Sequence, residues 1–115
     1  MQENPPNRRR RSPMRRFVVA DRSMEPALVE GQGLIAWRGG PVKVGQLRVL
    51  EHPTRPGFWL VKRVETVTGG DGTDGGRMTV RSDNDAVDTV DSRRFGPVPQ
   101  AGSYAVVVRV PRRWM

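Results

Sequence analysis

Residues 58–67, Phe58-Trp59-Leu60-Val61-Lys62-Arg63-Val64-Glu65-Thr66-Val67, are the most strand-like stretch of the chain. They are dense in aromatic and β-branched side chains, which suit a pleated, half-buried surface. Side chains alternate across a strand. One face carries Phe58, Leu60, Lys62 and Val64, and the other Trp59, Val61, Arg63 and Glu65. Lys62 therefore has only apolar neighbours on its own face, whereas Arg63 lies beside Glu65.

Shorter strands are expected on either side of this one. Arg16 to Ala20, Leu34 to Trp37, Gln46 to Glu51 and Arg77 to Arg81 fit the pattern. Tyr104 to Val110 reads as a final, buried strand. Gly31 to Gly33, Gly39 to Pro41 and Pro53 to Gly57 are turns. The Gly/Asp tip from Gly69 to Gly76 joins the central strand to Arg77–Arg81 as a hairpin. Ser82 to Pro99 reads as polar and irregular. Thirteen Gly and ten Pro in 115 residues favour short strands and turns over long helices. The pattern predicts one mainly β domain, a sheet with partly barrel-like character.

Charge divides the chain into a tail and a domain. Residues 1–16 hold six Arg and one Glu, while residues 17–108 hold 11 basic and 11 acidic side chains. Much of the net charge of +8 thus lies in residues 1–16, with Arg109, Arg112 and Arg113 adding to it at the other end. That distribution argues against a basic nucleic-acid stripe on the folded domain. We expect residues 1–16 to be a basic, disordered tail and residues 17–115 to be the domain. Arg8 to Arg11 give the tail the charge to contact an acidic surface, whether lipid, nucleic acid or protein. Met14 is a candidate natural start.

No Cys and a single His, His52, exclude a disulfide framework, a thiolate zinc site and a Cys nucleophile. His52 adjoins Pro53 in a turn and reads as a surface residue. No apolar run approaches the ~20 residues that span a bilayer, and no secretory leader is evident. The expected compartment is the cytoplasm.

Only two Lys stand against 18 Arg, so a Lys inside the most apolar strand stands out. Two readings fit the periodicity. On an edge strand, Lys62 extends its amine to water. In a buried strand, desolvation lowers its pKa and frees the lone pair at neutral pH, making it a general base. Arg cannot serve that purpose, because it does not deprotonate in proteins. A neutral Lys needs a hydroxyl to activate. The candidates are Ser12, Ser23, Ser82, Ser92 and Ser103. Ser23 follows a short strand in a turn that Pro26 constrains, where backbone N–H groups can serve as oxyanion donors.

Three segments together carry a resemblance. Ser23-Met24-Glu25-Pro26-Ala27-Leu28, Leu60-Val61-Lys62-Arg63-Val64, and Ser82-Asp83-Asn84 with Asp91-Ser92-Arg93 and Phe95-Gly96-Pro97-Val98 occur in that order. They resemble the nucleophile, base and third boxes of the signal peptidase family of Ser–Lys proteases. Val110 to Trp114 is similar to the basic-aromatic close of those chains. The resemblance implies a small signal peptidase/LexA-like β-sheet catalytic domain that needs no metal or other cofactor. It implies Ser23 as nucleophile and Lys62 as general base. Thr89, counted back from Asp91, falls at the hydroxyl that orients the Lys amine. Arg63 and Asp83 fall at a structural ion pair, and Asp91, Ser92 and Arg93 at the segment bracing the site.

Two positions depart from the family pattern. Asp21 stands where a Ser or Gly is usual beside the oxyanion hole. An ionised carboxylate cannot donate, so the hole rests on backbone N–H groups, chiefly that of Ser23. Ser82 stands in place of a Gly.

The chain shows neither the N-terminal membrane anchor nor the large insertion of the membrane enzymes. It looks most like the small proteases that mature nickel-type superoxide dismutase by removing an N-terminal propeptide from the precursor. Three alternatives stay open: a related protease with another cytoplasmic substrate, a non-catalytic basic binding module, and a self-cleaving repressor. The last lacks an upstream cleavage site, since Ala101-Gly102 lies downstream of Ser23.

Overall fold

The computed structural model describes residues 13–69, 76–86 and 90–111. These residues form β1 (Met14–Val18), β2 (Gly33–Arg38), β3 (Leu47–Glu51), β4 (Trp59–Thr68), β5 (Arg77–Arg81), α1 (Ser92–Phe95), β6 (Val98–Pro99) and β7 (Tyr104–Val110). The strands make one antiparallel sheet in the order β1-β2-β7-β3-β4-β5-β6. The domain is mainly β, as composition and periodicity predict. The sheet is open, since β1 and β6 end it without pairing to each other. Its barrel-like character is curvature alone. Phe17 of β1 reaches Trp59 of β4, with ring centroids 5.7 Å apart, although three strands separate them in the sheet.

Alternation along β4 is the one the sequence predicts: Leu60, Lys62 and Val64 are buried, while Trp59, Val61 and Arg63 are half-buried. The two faces of the sheet build two apolar clusters. Met24, Leu28, Leu34, Val49 and Tyr104 belong to one, with Trp59 and Val61 packed against it. Leu50, Leu60, Val64, Met78 and Val80 belong to the other. Burial of these side chains is the main favourable term holding the domain together.

Three expectations change. Met14, Arg15 and Arg16 belong to β1, paired with Trp37, Ala36 and Ile35, so they lie in the sheet and not in the tail. Tyr104 to Val110 is a strand but not a buried one, because only Tyr104 is buried and Val107 and Val108 face solvent. The segment after Ser82 is not wholly irregular. Asp91 caps α1 by accepting from the Arg93 N–H, and Gly96 ends it with φ +77°. Thr89 and residues 112–115 lie outside the described residues. No helix among the described residues is long and apolar enough to cross a membrane.

Candidate active site

The strand-to-turn corner after β1 presents Ser23. Met24 and Leu28, both fully buried, anchor this turn in the core. The Leu28 N–H donates to the Met24 carbonyl at 2.9 Å, and the Glu25 N–H to the Arg22 carbonyl at 3.2 Å. The segment after β5 clasps the turn from the other side. The Asn84 N–H donates to the Ser23 carbonyl at 2.8 Å, and Asn84 Nδ2 to the Arg22 carbonyl at 2.9 Å. Ser23 is thus held on main-chain atoms from both flanks.

Lys62 extends from β4 to this corner. Its Nζ lies 2.9 Å from Ser23 Oγ and 2.9 Å from Ser82 Oγ, donating to both hydroxyls. All three side chains are buried, Lys62 to 2% exposure. Desolvation pushes the Lys62 amine below the usual lysine range. Asp21 and Asp91 act against that shift, and Arg93 adds to it. Burial in a strand interior is thus the arrangement present, and extension of the amine to water is not.

Ser82 is the residue that sequence reasoning missed. The sequence offers it as one of five candidate hydroxyls and as a Gly replacement, but not as the group that orients the Lys62 amine, and its hydroxyl makes the second contact to Lys62. The signal lay in register. Arg63 pairs with Arg81, so one step further along the antiparallel ladder sets Ser82 beside Lys62.

The bracing charges meet as two separate groups. Arg63 grips Asp83 through Nε to Oδ1 at 3.0 Å and Nη2 to Oδ2 at 2.7 Å, and donates to the Gly45 carbonyl at 2.9 Å. The hydrogen bond to Asp83 raises the Arg63 pKa. Asp91 is fully buried. Its Oδ2 accepts from the Ser82 N–H at 2.9 Å and from Arg93 Nη2 at 2.8 Å. Burial acts to raise its pKa, but these bonds prevail and hold the carboxyl well below the usual carboxylate range. Ser92 Oγ accepts from the Val80 N–H at 2.8 Å. Asp91 and Ser92 thereby fix both the end of β5 and Ser82.

Asp21 is placed otherwise than an oxyanion donor requires. Its Oδ1 accepts from the Ser23 N–H at 3.0 Å. The carboxylate occupies the donor it was expected to accompany, because an ionised carboxyl has only acceptors to offer.

Beside Ser23 and Lys62 lies a mostly apolar pocket of about 100 Å³, lined by Phe17, Val18, Asp21, Phe58 and Trp59 among others. Both its long walls are strand edges. Among the described residues β1 pairs only with β2. β4 pairs with β3 from Trp59 onward, but with β5 only from Arg63 onward. The chain matches no protein-family model, and no curated protein matches it.

Proposed function

We propose that this protein is a serine endopeptidase working through a Ser23–Lys62 dyad. The observation that carries the reading is the 2.9 Å contact between Lys62 Nζ and Ser23 Oγ inside a buried site. A lysine so desolvated is neutral over a wider pH range than a free one, and a neutral amine accepts the hydroxyl proton.

The reaction is acyl transfer. Ser23 Oγ attacks the scissile carbonyl carbon as Lys62 Nζ takes its proton. The tetrahedral intermediate collapses, the C–N bond breaks, and Lys62 returns the proton to the departing amine. Water then attacks the acyl ester, giving a proton to Lys62, and Ser23 recovers its own proton as the acid leaves. Ser82 accepts a hydrogen bond from the amine and keeps its lone pair aimed at Ser23, the orienting duty that the family resemblance gave to Thr89.

An extended peptide suits the slot between β1 and the first half of β4. Main-chain bonds along a strand edge give affinity, and pockets for alternate side chains give selectivity. The apolar lining favours small or aliphatic side chains near the scissile bond.

Within that class, the particular role we propose is propeptide removal from a nickel superoxide dismutase precursor in the cytoplasm. It rests on the resemblance of the three boxes and of Phe95-Gly96-Pro97-Val98 to those maturation proteases. A different cytoplasmic precursor is the alternative. Mixing the protein with such a precursor tests both levels, with the new N-terminus read by mass spectrometry. Cleavage at one bond is expected, with a rate that rises toward alkaline pH as Lys62 loses its proton. A rate flat between about pH 6 and 9 contradicts the assigned base. Cleavage of other proteins but not this precursor contradicts the substrate alone.

A further inference from the structure

The contact between Asp21 Oδ1 and the Ser23 N–H, 3.0 Å long, puts an anion where acyl transfer must place another. The oxyanion of the tetrahedral intermediate needs a donor adjoining the nucleophile, and the Ser23 N–H is the one at hand. An ionised carboxylate there repels the developing charge and occupies the donor. We propose that Asp21 is a latch on the oxyanion site, closed in the free protein and opened when bound substrate displaces the carboxylate. This rests on the protease reading above.

Three features fit a latch better than a structural bond. Asp21 is exposed, so its carboxylate can turn into water at low cost. The turn does not depend on it for shape, because Met24, Leu28 and Asn84 hold Ser23 through buried side chains and main-chain bonds. The carboxylate also acts on Lys62, whose charged form it favours. Closed, it therefore opposes both halves of the chemistry, the donor and the base. The other charges acting on Lys62 are Asp91 and Arg93, from the segment of α1. Arg48, opposite Lys62 in the register, directs its guanidinium to Gln46, Gly39 and Ser103 instead. Removing Asp21 leaves those groups in place.

The test uses the full chain and a proteome-derived peptide library. Cut sites are read by mass spectrometry, and the best-cut peptide is synthesised for kinetics. Asp21→Ala is expected to raise kcat/KM about tenfold, the worth of one charge-assisted hydrogen bond at an exposed position. It also moves the ascending limb of the pH profile to lower pH, which a merely structural bond would not do. Asp21→Asn keeps an acceptor but loses the charge, and should fall between the two. In ¹⁵N–¹H spectra the Ser23 amide should shift on Asp21→Ala, with the rest of the spectrum largely unchanged. Cleavage that depends on Ser23 but is equal or slower in Asp21→Ala, with an unmoved pH limb, overturns the latch and leaves the protease reading standing. No Ser23-dependent cleavage by either protein overturns the protease reading and the latch with it.

Discussion

Lys62→Met is expected to lower Ser23-dependent cleavage by about 10⁴-fold, the upper range for loss of a general base, and Ser23→Ala by about 10⁶-fold. Both variants should stay folded. Met nearly fills the volume of the Lys stem, and replacing a buried ionisable group by an apolar side chain of similar volume is often neutral or stabilising. The Ser23 and Ser82 hydroxyls lose a donor, an offset of about 1 kcal/mol each. The pH dependence of stability separates the variant from wild type. Folding lowers the Lys62 pKa, so the unfolded chain binds more protons than the folded one between the folded and unfolded values. Wild type therefore gains stability as pH rises through that window, and Lys62→Met should lack the gain. Denaturant unfolding across the alkaline range measures it. Rapid cleavage by a folded Lys62→Met would remove the dyad.

Asp91→Ala should be the most disruptive change among the bracing residues. It leaves the buried Ser82 N–H without its acceptor and removes one partner of Arg93 and the cap of α1. Breaking a fully buried pair costs about 3–5 kcal/mol. Arg93 is 44% exposed and can turn to water, so about 2–3 kcal/mol is expected here. Activity should fall as well, since Asp91 fixes the backbone that presents Ser82 to Lys62. The stability that the Asp91 carboxylate supplies is present above the ordinary Asp range near ~4 and is lost as pH falls toward its lowered folded value. Asp91→Ala should accordingly flatten the acid limb of the stability profile. Unchanged unfolding midpoints at neutral pH would contradict the bracing role.

Much of this arrangement was legible in the sequence because it is local. Alternation in β4 set Lys62 among Leu60 and Val64 without reference to the rest of the chain, and burial follows that alternation. β5 and β7 span Arg77–Arg81 and Tyr104–Val110, the bounds that the sequence pattern predicts. The contact of Ser23 with Lys62 was expected from three boxes in order, since spacing alone did not join residues 39 positions apart.

What was not legible depends on register and on rotamers. Ser82 meets Lys62 through the pairing of β4 with β5, which no single-strand pattern encodes. The Asp21 contact is a side-chain choice within one turn, and chemistry excluded only the donor it could not be. Met14 to Arg16 carry charge typical of a tail, yet the free edge of β2 recruits them as a strand. The exposure of Val107 and Val108 follows from their place on β7, where β-branched residues satisfy strand geometry without being covered.

The central claim is that Lys62 is uncharged at working pH while touching Ser23. Two lysines in the chain make the measurement clean, since only two side-chain resonances need to be assigned. With ¹³C-labelled lysine, the two side-chain Cε resonances can be followed through a pH titration of the folded protein. Lys62 is expected to titrate below the ordinary lysine range, and its resonance to shift in Ser23→Ala. Lys62 titrating near the ordinary ~10.4 of a free lysine would contradict it.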